Sequence, residues 1–299
     1  MRFSYLQIIV LCSALGLFVL ILSLGRTKPL TKKGGEDSTQ TTDTLPPLND
    51  EAMLAGAYEK LDSNQLSYLT QLEQEKSKAT LFEDEVLALK LISRTWNEFG
   101  NYAAGGYYAQ KVAELAPSGE AWAIAGTTFG IAFNREQNDV QFKKYVGHKA
   151  VACFQKAAEL EPDTVAHRIN EAIMYVDLSI VDASVMPMTG AQKLLALDKE
   201  FPNNVNVNLQ MGRLSLNMSG DIQKAIPRFE RIIAIADSAK VDAGTLVEAH
   251  FSLTECYKQL NQKEKVLFHF DKAIALSKDK PTIAVKLQEA KDLFEKEGK

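Results

Sequence analysis

Apolar residues recur at helical spacing along most of this chain. From Glu51 onward they fall three and four positions apart, and no stretch alternates apolar with polar long enough to predict a strand. Two segments at the N-terminus break the pattern. Tyr5 to Gly25, YLQIIVLCSALGLFVLILSLG, is apolar all round and carries no charge. As a helix it reaches about 31 Å, against a hydrocarbon core of roughly 30 Å, so residues 1–25 are expected to form a single membrane span. Ser23-Leu24-Gly25 has the small-x-small form that a signal peptidase accepts, which leaves open an uncleaved anchor or a cleaved signal. Residues 26–49 have no period at all. Gly34-Gly35, a Thr/Ser/Asp run and Pro46-Pro47 predict a flexible linker. The helical region is then 50–299, with Asn49 or Asp50 offered as the first N-cap and Glu51 in the first turn.

Charge bears on orientation. Arg26, Lys28, Lys32 and Lys33 lie just beyond the span, and a literal positive-inside count would keep the helical region in the cytoplasm. Met1 to Ser4 is too short a head to count on, and N-terminal anchors commonly export the chain attached to them. Export is therefore expected, with the helical domain outside the cytoplasm, in the periplasm of a bacterial envelope.

The helical region repeats itself. Leu253, Thr254 and Tyr257 on one segment, then Val266, Phe270 and Ala273 on the next, form its clearest unit. Related sets are Ile92, Trp96, Gly100, Tyr102, Val112 and Pro117, then Trp122, Ala125, Gly126 and Phe129 closed by Ala150, Phe154, Ala157 and Pro162. Asn134 to Tyr145 interrupts this second set as an insertion. Tyr175, Gly190, Leu194, Leu197 and Pro202 make a degenerate unit, and Met211, Gly212, Gly220, Ala225, Phe229 and Ile232 a better one. The spacing resembles the tetratricopeptide repeat, whose period is about 34 residues. The resemblance covers about Leu87 to Pro281. It implies an all-α, right-handed solenoid of helix hairpins, in which each hairpin buries its apolar face only by stacking on a neighbour. More loosely, the chain is similar to membrane-anchored repeat proteins of bacterial envelopes, some of them related to cytochrome c maturation factors.

Single positions add further expectations. Gly126 and Gly212 stand where helix backbones would approach closely, while Gly100 and Gly220 suit left-handed helix ends. Pro117, Pro162 and Pro202 stop second helices. Residues 51–80 are expected to add one more degenerate pair. Ile283 to Glu297 reads as a terminal capping helix with Leu287, Ala290, Leu293 and Phe294 inward, and with Lys286, Glu289 and Lys296 in water.

Chemistry is sparse. The chain is 46% hydrophobic and 24% charged with net charge -4, ordinary for a folded domain, and its Lys and Arg residues are scattered after position 33. A nucleic-acid partner would need a basic stripe. Cys12, Cys153 and Cys256 have no metal or disulfide spacing and read as free, buried thiols. His167 and Glu171 are four apart on one helical face but lack further ligands nearby, so a packing pair is expected and no metal. His148, His250 and His269 look isolated. No nucleophile motif, phosphate loop or zinc motif occurs, and Gly126-Thr-Thr-Phe-Gly130 is better explained by helix packing. Neither an enzyme nor a small-molecule cofactor is indicated.

The tetratricopeptide resemblance also implies where a ligand would lie. In that family the first helix of each hairpin lines a groove. The corresponding positions here hold Lys90, Arg94 and Asn97, then Asn206, Leu209 and Arg213, then Phe251, Glu255 and Lys258. Family members that clamp a peptide carboxylate pair Lys with Asn. Lys90 fits, whereas Arg94 replaces the asparagine and the next unit offers Ala123 and Thr127. The expected function is a membrane-anchored scaffold for a protein or peptide partner, with Lys90, Arg94, Asn97, Asn206, Arg213 and Glu255 as candidate contacts. A self-associating assembly factor of the envelope without a separate ligand is the alternative.

Overall fold

Asn49 starts the first helix, its side-chain oxygen accepting a hydrogen bond from the Ala52 amide at 2.8 Å. The computed structural model describes residues 48–297, so the anticipated anchor and all but the end of the linker lie outside the described residues. Among the described residues there are thirteen helices and no strand, an all-α architecture. They are α1 (Asp50–Tyr58), α2 (Ser63–Lys78), α3 (Phe82–Glu98), α4 (Tyr102–Leu115), α5 (Gly119–Arg135), α6 (Val140–Leu160) and α7 (Val165–Val181). Then come α8 (Met188–Glu200), α9 (Val205–Asn217), α10 (Ile222–Ala234), α11 (Ala243–Gln259), α12 (Lys263–Leu276) and α13 (Pro281–Glu297). Among the described residues no helix is long and apolar enough to cross a membrane.

Local chemistry sets the helix ends. Asp62 and Gln65 form a reciprocal capping box at α2. Asn101, Ser118, Asp139, Asn204, Asp221 and Asp242 each accept a backbone N–H at the start of their helices. Gly100 closes α3 at φ 80° and Gly220 comes after α9 at φ 63°, both left-handed as their positions suggested. Asn261 takes the same role after α11 at φ 54°, so that Gln262 N–H reaches back to the Tyr257 carbonyl at 3.0 Å.

From α2 onward, each helix packs against the next in sequence. Short connections such as Phe99-Gly100-Asn101 between α3 and α4 make such neighbours run antiparallel. The first helix departs from the expected pairing: α1 packs chiefly on α4, while α2 packs on α3. Residues 51–80 are two helices, but not one hairpin. Met53 and Ala57 bury against the first core cluster, which runs through Trp96, Phe129, Phe154 and Leu178. Ile169, Leu194, Leu197, Val207 and Met211 form a smaller cluster across α7, α8 and α9. Phe229, Leu253, Tyr257, Val266 and Phe270 belong to the core of the C-terminal helices.

The packing glycines hold side chains rather than backbones. A Cβ added at Gly126 would lie 2.9 Å from the Phe154 ring, one at Gly212 2.7 Å from Phe229, and one at Gly106 2.8 Å from Phe129. Each phenylalanine thus rests flush on a bare stretch of the neighbouring helix. The true backbone approach is at Gly190, where a Cβ would meet the Ala172 carbonyl at 2.4 Å.

Much of the insertion becomes helix. It lengthens the N-terminal part of α6, and this extension is fastened at two places. Asp50 accepts hydrogen bonds from the Tyr145 hydroxyl at 2.5 Å and from Lys149 Nζ at 2.6 Å. Asp182, the C-cap of α7, accepts from His148 Nε2 at 2.7 Å and lies 3.6 Å from Lys144 Nζ. At the other end, α13 covers the last core with Leu287, Ala290 and Phe294. Leu293 does not join them: it is 57% exposed, because it stands one position round the helix from Phe294.

Candidate functional site

Burial of Leu89, Ile92, Ser93 and Trp96 fixes the rotation of α3 and leaves Lys90 and Arg94 on its outer face. Asn97, half-buried, lies one turn beyond Arg94. These three side chains line one cavity of about 450 Å³, whose other walls include Ala109 and Val112 of α4 and Ser118, Glu120, Ala121 and Ile124 around the start of α5. Ser93 donates to the Gly105 carbonyl at 2.8 Å and ties α3 to α4 beneath the cavity. Asn97 Oδ1 is buried with no hydrogen-bond partner, a costly state for an amide oxygen. Arg94 Nε donates to Glu98 at 2.8 Å, but both side chains are more than half exposed, so the pair holds the guanidinium only weakly. Lys90 makes no ion pair among the described residues. The Ser118 hydroxyl accepts from the Ala121 amide at 3.0 Å, and the positive end of α5 opens on the same space. The surface is therefore apolar on its walls and cationic along one edge, with Glu120 as the opposing charge.

Arg213 belongs to a different cavity. It lines a space of about 280 Å³ with Asp177, Ile180, Gln210 and Asn217 among others. Its Nε already donates to Glu248 of α11 at 2.5 Å. Burial raises the Asp177 pKa, against the pull of Lys143 and Arg213. Asn206 is exposed and Glu255 half-buried, and neither lines these two cavities. Lys258 stands 6.0 Å from the centre of the Phe294 ring, and Phe251 meets Phe270 edge-on at 6.4 Å. The six candidates thus divide into a cavity-lining set on α3, an arginine already engaged on α9, and two residues joined to neither.

The other titratable groups singled out in the sequence stand apart from one another, with one exception. His167 Nε2 pairs with Glu161 at 3.1 Å and Glu171 with Lys193 at 2.9 Å, so the two residues four apart have separate partners. Among the described residues no group of three or more His, Cys, Asp or Glu could hold a metal ion. Cys153 and Cys256 are free and buried, their thiols pushed up to about 12 and about 11 by desolvation. The exception corrects the reading of isolated histidines: His250 and His269 meet, Nδ1 to Nδ1, at 2.9 Å. The available signal was their equal distance from the turn near Leu260, which superimposes them once α11 and α12 run antiparallel. No family model matches this chain, and no curated protein matches it in sequence.

Proposed function

We propose that this protein is a membrane-anchored, tetratricopeptide-like scaffold whose α3–α5 cavity holds an acidic or C-terminal segment of a partner protein. In this reading the hairpins from α3 onward stack as a right-handed solenoid. Burial of Trp96, Phe129, Phe229, Leu253, Tyr257 and Phe270 at the repeat positions supports it. The observation that carries the partner assignment is the convergence of Lys90 and Arg94, with Asn97 beside them, on a cavity with apolar walls. Lysine and arginine donors suit a carboxylate, the arginine presenting a fixed fork. Arg213 is a weaker contact than its groove position implies, since a ligand would have to displace Glu248.

The test uses the full chain in detergent and fluorescent peptides ending in Asp or Glu. Saturable binding by the native chain, lost in Lys90→Glu/Arg94→Glu with an unchanged melting curve, supports the assignment. Equal binding by the variant rejects the cavity. Periplasmic exposure is tested separately with a fused reporter active only outside the cytoplasm.

A second reading, self-association, is favoured by Leu81, Phe82 and Leu87, which are 60%, 55% and 65% exposed around the start of α3. Light scattering showing a concentration-dependent dimer that Leu87→Asp dissociates would support it over a monomeric receptor.

A further inference from the structure

His250 on α11 and His269 on α12 are 6% and 8% exposed. Their Nδ1 atoms meet at 2.9 Å with ring centroids 5.2 Å apart, so the rings are head-on and one Nδ1–H donates to the other Nδ1. Tyr257 steadies the pair: its ring stacks on His269 at 5.5 Å, and its hydroxyl donates to Glu230 at 2.8 Å. Desolvation, then His269 and Lys272, holds His250 at about 4. Desolvation and Lys265 do the same for His269, and both rings are neutral at pH 7. A neutral pair joined in this way has a fixed remainder. The donor ring keeps a bare Nε2, and the acceptor ring keeps an Nε2–H. Neither Nε2 has a hydrogen-bond partner among the described residues.

Both rings line a cavity of about 570 Å³ between α10, α11 and α12. Ile233, Leu246, Ala275 and Leu276 give it apolar walls. Phe268, 53% exposed, and Lys272 one turn later form its rim, with Lys272 Nζ 5.4 Å from the centre of the Phe268 ring. Lys272 makes no ion pair among the described residues, whereas the lining carboxylate, Glu230, already accepts the Tyr257 hydroxyl. Lys265 adds a second cation, 4.5 Å from the centre of the Tyr257 ring. The nearby lysines thus outweigh Glu230 by a single charge. We infer that this cavity binds a small aromatic or aliphatic monocarboxylate, its body on the apolar walls and its head between Lys272 Nζ and the Nε2–H of the histidine pair. A carboxylate satisfies both donors. An amine would stand against Lys272. The site lies apart from the α3–α5 cavity and does not rest on the scaffold reading.

The probe is 2-naphthoate, titrated by fluorescence into the full chain in a nonionic detergent, with detergent alone as the blank. Saturation at a single site is expected. In a chain with nitrogen-labelled histidines, the Nε2 signals of His250 and His269 should move while those of His148 and His167 stay. Lys272 is exposed, so Lys272→Gln should leave the melting curve unchanged. The loss of its charged donor should weaken binding by about tenfold or more. Lys90→Glu/Arg94→Glu should bind as the native chain does. The uncharged analogue 2-naphthamide should bind more weakly than the acid, and equally to the native chain and to Lys272→Gln. Three results would each overturn the site: no saturation, unmoved His250 and His269 signals, or native affinity in Lys272→Gln. Binding lost in Lys90→Glu/Arg94→Glu would also overturn it, by placing the anion in the other cavity.

Discussion

At the scale of single residues, burial and partner chemistry separate sites that the repeat pattern treats alike. Phe270 is 4% exposed in the C-terminal core, and its replacement by alanine removes a ring from a packed layer. Phe270→Ala should cost about 3–5 kcal/mol, whereas Lys286→Ala on the wet face of α13 should cost about 0.5 kcal/mol or less. Urea midpoints of the two variants check this, and equal shifts would remove Phe270 from the core. The histidine pair gives a pH dependence with a definite sign. Both pKa values lie at about 4, below the ordinary 6.5, so the unfolded chain binds protons that the folded chain refuses. Their contribution is complete above the unfolded value and declines as pH falls from about 6.5 to about 4. His250→Asn/His269→Asn should flatten the urea midpoint across that interval. A slope unchanged by the double substitution would place the proton uptake elsewhere.

At the scale of helices, much was legible because periodicity reports which face of a helix is apolar. The covered positions of α3, α10, α11 and α12 are readable from spacing alone, and so are the left-handed ends at Gly100 and Gly220. What spacing cannot report is the partner across the interface. Nothing near Met53 or Ala57 distinguishes docking on α2 from docking on α4, because both offer apolar surface. The insertion was visible as a break in the repeat, but its helical extension depends on contacts 95 residues apart, between Tyr145 and Asp50. Burial works to raise the Asp50 pKa, yet hydrogen bonds from Lys149 and Tyr145, and the Lys149 charge, carry it below its ordinary value. Asp50→Ala leaves the partly buried Lys149 amine without this acceptor. Amide exchange in α1 should then quicken relative to α4, with local stability lower by about 1–3 kcal/mol. Uniform exchange rates across α1 and α4 would show that the contact does not hold α1 down.

At the scale of the whole molecule, the helices lean mainly on their sequence neighbours. A chain beginning at Leu48 should be soluble and helical, and should melt cooperatively without the preceding segment. Circular dichroism and calorimetry test this, and a truncated chain with no cooperative transition would contradict it. Of the candidate contacts, Lys90, Arg94 and Asn97 were legible as a group because they share one helix face. The engagement of Arg213 by Glu248 was not, since it spans two helices 35 residues apart in sequence. The phenylalanines seated on Gly106, Gly126 and Gly212 carry a consequence for descent as well as for packing. Each joint is specified by a pair of positions in which one must be small for the other to be aromatic. Among homologous chains, positions 212 and 229 should therefore change together. An alanine at the first should accompany a leucine or smaller residue at the second, so that history records each joint as one linked character.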